Sequence, residues 1–401
     1  MLKAIKVRIY PTDEQSVTLA KHFGCTRWLW NHCLSVMTET YKTTGKGISA
    51  LTMKKQIPAL KAEYEWLKEC YSQCLQQSVL NLSQAFQNFF EGRAKYPNFK
   101  SKHRRQSVQF PQNVKVISES AIKFPGLLGT VAAKIHRPIK GQLRTVTVSK
   151  MPDGKYFASL LVEDGTEEPD SSSNGKAIGI DLGLTDFAVT SDGSRFVNPR
   201  HLKKHERNLK RKQRKLSRKR KGSQNRNKAR IKVAKVHAKI ARVRKDFHHK
   251  LSRKIVNENQ VIVVEDLAVK NMVKNHNLAK AISDVGWGQF CTMLKYKAEF
   301  EGKVYLEIGR FFPSSHLCSN TLLPLEKIDL SIRSFVCPHC RERHDRDINA
   351  AINIKNEGLR ILVSQGLAHL ASGSGASALG RDVRPKGGRR KSTLSEAVAV
   401  D

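Results

Sequence analysis

The stretch AIGIDLGLTDFAVTSDGSRFV, residues 177–197, decides the fold of this chain. It holds two short apolar runs, 177–182 and 186–190, and a third run, 195–197, follows the turn residues of 191–194. Short apolar runs separated by such turns predict an antiparallel meander of strands. The first run has a carboxylate inside it, and a charge in an apolar strand needs a structural or functional explanation.

Three acids stand in apolar surroundings. Asp181 lies inside the first strand, Glu265 follows the continuous apolar run 261–264, and Asp347 opens an apolar helical pattern over 348–363. An unpaired charge inside a buried strand costs several kcal/mol, so we expect Asp181 to be paired or bound to metal. Two-metal phosphodiester hydrolysis uses carboxylates around cations ~3.5–4 Å apart, and magnesium prefers hard oxygen ligands. The three acids therefore indicate metal-dependent hydrolysis.

Each of these acids except Asp181 also has a structural explanation. Glu265 is followed by Asp266, and an acid after a buried strand is often the first loop residue. Asp345 or Asp347 fits a helix N-cap equally well. Spacing alone leaves these alternatives open.

The charge of the chain indicates a polyanionic partner. Its 72 Lys+Arg against 35 Asp+Glu give a net charge of +37, an excess that favours nucleic acid. Residues 201–250 alone carry 22 Lys+Arg and two acids, or 22 − 2 = +20. This segment is either a disordered basic arm or a set of helices along a nucleic acid. The candidate phosphate contacts are Lys203, Lys204, Arg211, Lys212, Arg214, Lys215 and Arg218.

Membrane and disulfide-rich classes are disfavoured. No run approaches 18 apolar residues, and the N-terminus MLKAIKVRIYPTDEQ lacks the apolar region of a signal peptide. The eight cysteines are scattered, with only the last three grouped like metal ligands, as expected in a reducing compartment. We expect a soluble, cytoplasmic bacterial protein associated with the nucleoid and without a membrane partner.

The N-terminal part combines strands and helices. Residues 3–10 alternate like a half-buried strand, and a capping box formed by Thr12 and Gln15 predicts a helix to about His22, with a second helix after Gly24. Apolar spacing predicts a longer helix over 70–91. From about residue 105 the apolar residues recur with a period of 2, which predicts a small β unit to about 163. We expect this unit to form a barrel together with strand 3–10. The acidic, Ser-rich stretch 164–174 is typical of a linker. The tail from about residue 370 is typical of a disordered segment.

Four motifs in order carry a resemblance to a known family. GIDLGLTDFAVTSDG (179–193), VVEDL (263–267), FPSSHLC (312–318) and CPHCRERHDRDINAAINI (337–354) resemble the TnpB (OrfB) proteins of bacterial insertion sequences. The resemblance extends from near the start of the chain to about residue 360. These proteins are similar to type V CRISPR effectors.

The resemblance implies an α+β multidomain protein with a RuvC-like nuclease of RNase H fold, guided by an RNA derived from the transposon end. It assigns catalysis and two magnesium ions, or manganese, to Asp181, Glu265 and Asp347, leaving Asp345 outside the trio. Double-stranded target DNA would be cut next to a short adjacent motif, in support of transposon maintenance and transposition. The implied domains are a β-barrel wedge (1–22 and 103–165), a helical recognition lobe (23–102), a linker (166–176), the nuclease domain (177–312 and 344–365) with a basic helical insertion (200–257), a zinc-ribbon-like insert (313–343) and a basic tail (366–401).

The cysteine segment departs from the family pattern. Cys337 and Cys340 have the spacing of a zinc knuckle, and the family has a second such pair upstream, whereas this chain has Cys318 followed by Thr321. Arg341 replaces the usual glycine after the last cysteine. Two alternatives stay open: a fourth ligand from His316, His339 or His344, or a ribbon that holds zinc weakly or not at all.

Three other functions agree less well with the sequence. A guided DNA-binding protein without cleavage and a structural RNA-binding protein have no need of three such acids. A transposase acting through an N-terminal helix-turn-helix and a DDE site would not explain a charge spread over the whole chain. For reading of the adjacent motif, the candidates are the amide side chains of Gln76, Gln77 and Gln112, which can bond base edges.

Overall fold

The structure is a computed structural model that describes residues 1–167, 169, 175–326 and 332–367. Its contacts divide the chain into two compact units. One comprises Met1–Glu167 with Lys212–Lys235, and the other comprises the described residues outside those ranges. Parts of the predicted linker (168 and 170–174) and the predicted tail from about 370 lie outside the described residues. No described helix has both the length and the apolar composition of a membrane span.

The first unit contains a seven-stranded antiparallel sheet in the order β2-β6-β7-β1-β5-β4-β3. Its strand β1 pairs with both β5 and β7, which confirms that strand 3–10 and the β unit share one sheet. In this order β2 and β3 are the edges, so the closed barrel stays a prediction. The strands are β1 (Leu2–Tyr10), β2 (Gln106–Phe110), β3 (Lys115–Ser118), β4 (Ala121–Lys123), β5 (Thr130–Lys134), β6 (Gln142–Lys150) and β7 (Tyr156–Glu163).

The helices of this unit differ from the prediction at one point. The capping box of Thr12 and Gln15 is present, but one helix runs on through Gly24, so the prediction of two helices is wrong. A single glycine costs a helix about 1 kcal/mol, and a stripe of buried side chains on either side of it outweighs that cost. The predicted helix 70–91 is confirmed. The helices are α1 (Asp13–Thr44), α2 (Ala50–Lys55), α3 (Ile57–Glu63) and α4 (Ser72–Phe90).

The second unit is organised around a five-stranded mixed sheet in the order β10-β9-β8-β11-β12. The antiparallel meander predicted from 177–197 is confirmed, and its first strand lies parallel to β11, which is also parallel to β12. The strands are β8 (Ala177–Asp181), β9 (Asp186–Thr190), β10 (Arg195–Val197), β11 (Val261–Glu265) and β12 (Val304–Ile308).

Helices cover both faces of this sheet, which explains why β11 is apolar throughout. Ile262 and Val264 belong to a core shared with Phe290, whereas Val261 and Val263 belong to a core shared with Ile354 on the other face. The helices are α5 (His201–Ser217), α6 (Gln224–Glu258), α7 (Val269–Met272), α8 (His276–Val285), α9 (Trp287–Phe300) and α10 (Arg346–Ser364). The disordered-arm alternative for 201–250 is therefore wrong, and α7 and α8 were not predicted.

A small ribbon lies between β12 and α10 along the chain. It contains a 3₁₀ turn at Ser314–His316 and a two-stranded antiparallel hairpin of β13 (Ser334–Val336) and β14 (Arg343–Asp345). The hairpin leads directly into α10, whose N-cap is the last residue of β14. This short connection brings the cysteine segment next to the start of the helix.

Candidate active site and metal centre

Asp181 and Glu265 end two neighbouring parallel strands. Ile180 pairs with Val264 in the register of β8 and β11, so the two acids occupy the next position on each strand. The carboxyl ends of parallel strands meet at one edge of a sheet, where neighbouring strands lie ~4.8 Å apart. The sheet therefore brings together two of the three acids identified from the sequence.

Helix α10 adds the third acid because it lies unusually close to the sheet. A Cβ at Gly179 would come within 2.1 Å of the Ala351 carbonyl oxygen, and a Cβ at Gly358 within 2.5 Å of the Val263 side chain. Only glycine permits these approaches. The helix consequently presents Asp347, in its first turn, to the end of the sheet.

The electrostatics of Asp181 reflect this convergence. Burial is the largest effect, and the negative charges of Glu265 and Asp347 add to it, so that the pKa of Asp181 rises to about 7. Burial also raises the pKa of Glu265, an effect that a hydrogen bond from Ser314 opposes. Repulsion among carboxylates is relieved when a cation binds between them. Asp181, Glu265 and Asp347 are called the carboxylate trio below.

Asp345 has a different role from Asp347. Its Oδ1 accepts hydrogen bonds from the backbone N–H groups of Asp347 and Ile348, both at 3.1 Å, and so caps α10. Arg195 of β10 donates to Asp345 at 2.6 Å and to Asp347 at 3.3 Å, and thereby joins the helix start to the meander. The N-cap alternative raised by the sequence thus applies to Asp345.

Ser314 is a site residue that the sequence reasoning missed. Its hydroxyl, on the largely buried residue that begins the 3₁₀ turn, donates to Oε1 of Glu265. A cavity of about 190 Å³ opens beside Glu265, with Trp287, Lys295 and Glu307 among its lining residues. The motif FPSSHLC (312–318) contains this serine, but spacing along the chain does not show that it contacts Glu265.

Four side chains of the ribbon form a candidate metal centre. The ligand atoms of Cys318, Cys337, Cys340 and His344 all lie within 4.8 Å of one another. Sγ of Cys318 is 3.7 Å from Sγ of Cys340 and 3.8 Å from Nε2 of His344, and Cys340 is 3.2 Å from that same nitrogen. These four residues are called the metal cluster below. Of the three histidines that the sequence left open, His344 is the one in this cluster.

Both halves of the ribbon keep the backbone of a zinc knuckle. The N–H of Leu322 donates to the Cys318 carbonyl at 2.8 Å, and the N–H of Arg341 donates to the Cys337 carbonyl at 2.9 Å. Leu322 and Arg341 both have left-handed backbones, with φ of 58° and 60°, a conformation that favours glycine. The first knuckle has therefore kept its turn although Thr321 stands where its second ligand is expected.

Thr321 still affects the cluster electrostatically. Burial raises the pKa of the Cys318 thiol, but hydrogen bonds from the Thr321 hydroxyl and from the backbone N–H groups of Thr321 and Asn320 outweigh it and lower the pKa to about 7. A thiol of lowered pKa is more readily the thiolate that binds metal. The residue that replaces a ligand thus acts as a donor to the neighbouring ligand.

The candidate nucleic-acid contacts lie in two regions, the basic ones along α5 and the glutamines on α4 and after β2. Lys203, Lys204 and Arg211 are exposed on α5 and Leu209 is its buried residue, so the helix presents a basic face to solvent. Lys212, Arg214 and Lys215 continue the helix, and Arg218 follows it. Gln112 is exposed after β2, whereas Gln76 and Gln77 are half-buried on α4, where Gln77 bonds Asn81 at 3.0 Å.

Three family models match parts of the chain. Residues 159–276 match the OrfB_IS605 family, described as a probable transposase, and residues 287–354 match a Cas12f1-like TNB domain. Residues 1–46 match a model described as a helix-turn-helix domain, although here they form a strand and the single helix α1. A solved chain from a Cas12f1–sgRNA–target DNA complex superposes with a TM-score of 0.56 at 13% identity, covering 88% of this chain and 98% of that one. The protein therefore has a mixed α/β fold that resembles the Cas12f1 effector.

Full-length relatives define the family. A protein of Streptomyces pristinaespiralis named "Putative RNA-guided DNA endonuclease" is 39% identical over 96% of this chain and 92% of its own length. The Escherichia coli K12 protein "Putative RNA-guided DNA endonuclease InsQ" is 31% identical over 90% of this chain and 93% of its own. The chain belongs to this family, the TnpB (OrfB) proteins of insertion sequences, and the resemblance seen in the sequence is confirmed.

Proposed function

We propose that this protein is an RNA-guided DNA endonuclease that cuts DNA through the carboxylate trio. The observation that carries the proposal is the convergence of three acids, from β8, β11 and α10, at one edge of the second unit's sheet. The names of its full-length relatives support the same function. The second unit would then be a RuvC-like nuclease of RNase H fold, and the sheet and helices of the first unit would be the wedge and recognition domains.

The trio fits divalent cations because it offers only carboxylate oxygens, which magnesium and manganese prefer. When bound, two such ions supply an activated water and stabilisation of the leaving oxygen. Asp181, whose pKa is raised by burial and then by the charges of its neighbours, would gain most from cation binding. Ser314 holds one oxygen of Glu265 by its hydrogen bond, and Arg195 restrains Asp347 through its contact with the helix start.

The proposed partners are a guide RNA derived from the transposon end and a double-stranded DNA target. The net charge of +37 supports a polyanionic partner that contacts much of the protein, and not only a short DNA duplex. The exposed basic side chains of α5 are the proposed phosphate contacts. Cleavage next to a short adjacent motif, in support of transposon maintenance and transposition, completes the proposal.

We also propose that the metal cluster holds zinc. A tetrahedral ion with bonds of ~2.3 Å to sulfur and ~2.0–2.1 Å to nitrogen has ligand–ligand distances of about 3.5–3.8 Å. The separations of 3.7, 3.8 and 3.2 Å between the cluster atoms are close to that geometry. Three cysteines and one histidine are a ligand set typical of structural zinc sites, which keep no open position for water.

The test is cleavage of DNA by the protein purified with its copurifying RNA. Sequencing that RNA gives the guide, from which a matching target library is built. Asp181→Ala, Glu265→Ala and Asp347→Ala should each lower the magnesium-dependent cleavage rate more than about 100-fold while guided binding is kept, because each removes a metal ligand and no phosphate contact.

Two neighbouring acids provide matched controls. Asp345→Asn keeps an oxygen that can cap the helix, and Asp266→Ala removes a carboxylate that pairs with Arg310 next to Glu265. Both variants should cut at rates within a few-fold of the unchanged protein. Normal cleavage by Asp347→Ala together with an inactive Asp345→Asn would contradict the proposed trio.

A further inference from the structure

Two buried asparagines on α10 are not explained by the proposed function. Asn349 and Asn353 are exposed by only 1% and 0%, and they lie one helical turn apart on the same face. A buried amide is costly unless it is hydrogen-bonded. The side-chain amides of both asparagines form hydrogen bonds with one segment that is distant in sequence.

That segment, residues 314–319, is called the strap. Asn349 donates to the Leu317 carbonyl at 2.7 Å and accepts from the Ser319 N–H at 2.8 Å. Asn353 donates to the carbonyls of Ser314 at 2.7 Å and Leu317 at 2.8 Å. Four hydrogen bonds therefore fix the strap's backbone to the helix.

The strap connects two sites that are otherwise separate. At its start, Ser314 donates to Glu265 of the carboxylate trio. Near its end, Cys318 is a member of the metal cluster. Another cluster member, His344, immediately precedes the residue that caps α10. The cluster thus holds the strap at one end and the start of the helix at the other.

We propose that Asn349 and Asn353 are positioning residues that hold Ser314 against Glu265, and that through the strap they couple the metal cluster to the nuclease-metal site. The inference rests on the proposed function for the identity of the nuclease site. The hydrogen bond from Ser314 would hold the Glu265 carboxylate in one orientation, with its other oxygen left to bind a cation. Partners of this kind typically change metal affinity 10–100-fold when removed.

The experiment measures manganese binding to the full-length protein by isothermal titration calorimetry. The Glu265→Ala variant defines the background from copurified RNA and surface sites. Ser314→Ala should weaken the Glu265-dependent binding at least about 10-fold, and Ser314→Thr, which keeps the hydroxyl, should restore it. Asn353→Ala should act in the same direction as Ser314→Ala, whereas Asn356→Ala, on a half-exposed position of the same helix, should have no effect.

Zinc content and melting temperature are recorded for every variant. If Ser314→Ala binds manganese less tightly but keeps its zinc, the ribbon is still folded. The loss of affinity is then due to the missing hydrogen bond from the serine. If Asn353→Ala fails to fold, the serine pair still tests the hydrogen bond from Ser314 to Glu265 on which the proposal depends. Manganese affinity that is the same in Ser314→Ala and the unchanged protein would overturn the inference, even when DNA cleavage has established the proposed function.

Coupling to the metal cluster is tested by a double-mutant cycle. Cys340→Ser should weaken manganese binding when Ser314 is present, and should weaken it much less in the Ser314→Ala background, because the connection is then already broken. Strictly additive effects would overturn the coupling. Absence of cleavage by the unchanged complex would count against the proposed function alone, since the manganese measurements do not depend on turnover.

Discussion

Asp181 is the residue whose sequence context indicated its chemistry most directly. A carboxylate between Ile180 and Leu182 in a buried strand requires a partner. The structure adds the other two acids of the trio, whose charges together with burial raise the pKa of Asp181 to about 7. The same arrangement that would attract cations therefore opposes folding when no cation is bound.

This opposition has a defined pH dependence. A carboxyl with a folded-state pKa of about 7, above its ordinary 3.8, binds protons more strongly in the folded state, so its cost to stability is complete above pH 7 and declines as the pH falls toward 4. In buffer without magnesium or manganese, Asp181→Asn should raise the melting temperature, roughly two to three times as much at pH 8 as at pH 5.

Differential scanning fluorimetry over this pH range provides the measurement. Asp266→Asn is the matched control, since it changes an acid that is paired with Arg310 and only half-buried, and it should show no such pH-dependent gain. Equal gains for Asp181→Asn at pH 5 and pH 8 would be incompatible with the raised pKa.

The metal cluster leads to a second prediction about single residues. His344→Ala should lower the zinc retained after dialysis against a moderate chelator, whereas His339→Ala should not, because His339 bonds the Pro324 carbonyl at 3.1 Å and is outside the cluster. Thr321→Cys should raise zinc retention and the melting temperature, because metal that binds only the folded form adds to folding stability.

Combining the two changes tests the ligand assignment. Thr321→Cys should restore zinc binding to His344→Ala, since it returns a fourth donor to the knuckle whose turn is still formed at Leu322. The measurement is zinc per protein chain together with the melting temperature. Full zinc occupancy in His344→Ala alone would show that another group is the fourth ligand.

At the scale of elements, α10 combines several functions within its first two turns. Asp345 caps it, Asp347 faces the other acids, and Asn349 and Asn353 bind the strap. The close approach permitted by Gly179 makes these roles compatible in one helix. Substitution of that glycine would push the helix from the sheet and so move Asp347 away from Asp181 and Glu265.

Helix α5 is predicted to contact the phosphates of the bound nucleic acid. Replacing Arg211, Lys212, Arg214 and Lys215 by Gln should weaken binding across sequences and lower the slope of log affinity against log salt, because each phosphate contact contributes about 0.9 to that slope. A loss of roughly 3 to 4 in the slope is expected if all four contact phosphates.

A charge-matched control separates contact from overall charge. Replacing Lys42, Lys46, Lys54 and Lys55 in the helical part of the first unit removes the same four charges. The slope measured by filter binding should fall less for this control than for the α5 variant. An unchanged slope after the α5 replacement would refute the proposed phosphate contacts.

At the scale of the whole molecule, the excess of positive charge is not confined to one element. The second unit holds the carboxylate trio and the metal cluster, while the first unit contains the seven-stranded sheet and the helices proposed to read the adjacent motif. This division agrees with a protein in which chemistry and recognition belong to different parts of the chain.

Recognition of the adjacent motif is predicted to depend on Gln76, Gln77 and Gln112. Changing all three to Ala should alter the motif preference in a depletion assay, since amide side chains can bond base edges. Gln84→Ala with Gln87→Ala, two exposed positions on the same helix, is the control. An identical preference in the triple variant would dismiss the three glutamines.

The sequence alone predicted the elements that depend on local pattern. The meander 177–197, the apolar strand ending at Glu265 and the helix 70–91 are all present, because alternation and apolar spacing act within a few residues. It also placed Asp181 at a candidate site, since burial of a strand charge can be inferred from its immediate neighbours. Motif order then indicated the family.

Only the tertiary structure decided the features that depend on contacts between distant residues. It continued α1 through Gly24 because buried neighbours outweigh a local helix breaker, and it placed His344 with the three cysteines, 26 residues from Cys318. It gave Asp345 the cap of α10 and brought Ser314 to Glu265, 49 residues away. Ligand sets and positioning hydrogen bonds are set by how strands and helices pack, and that packing is not expressed in the spacing of residues along the chain.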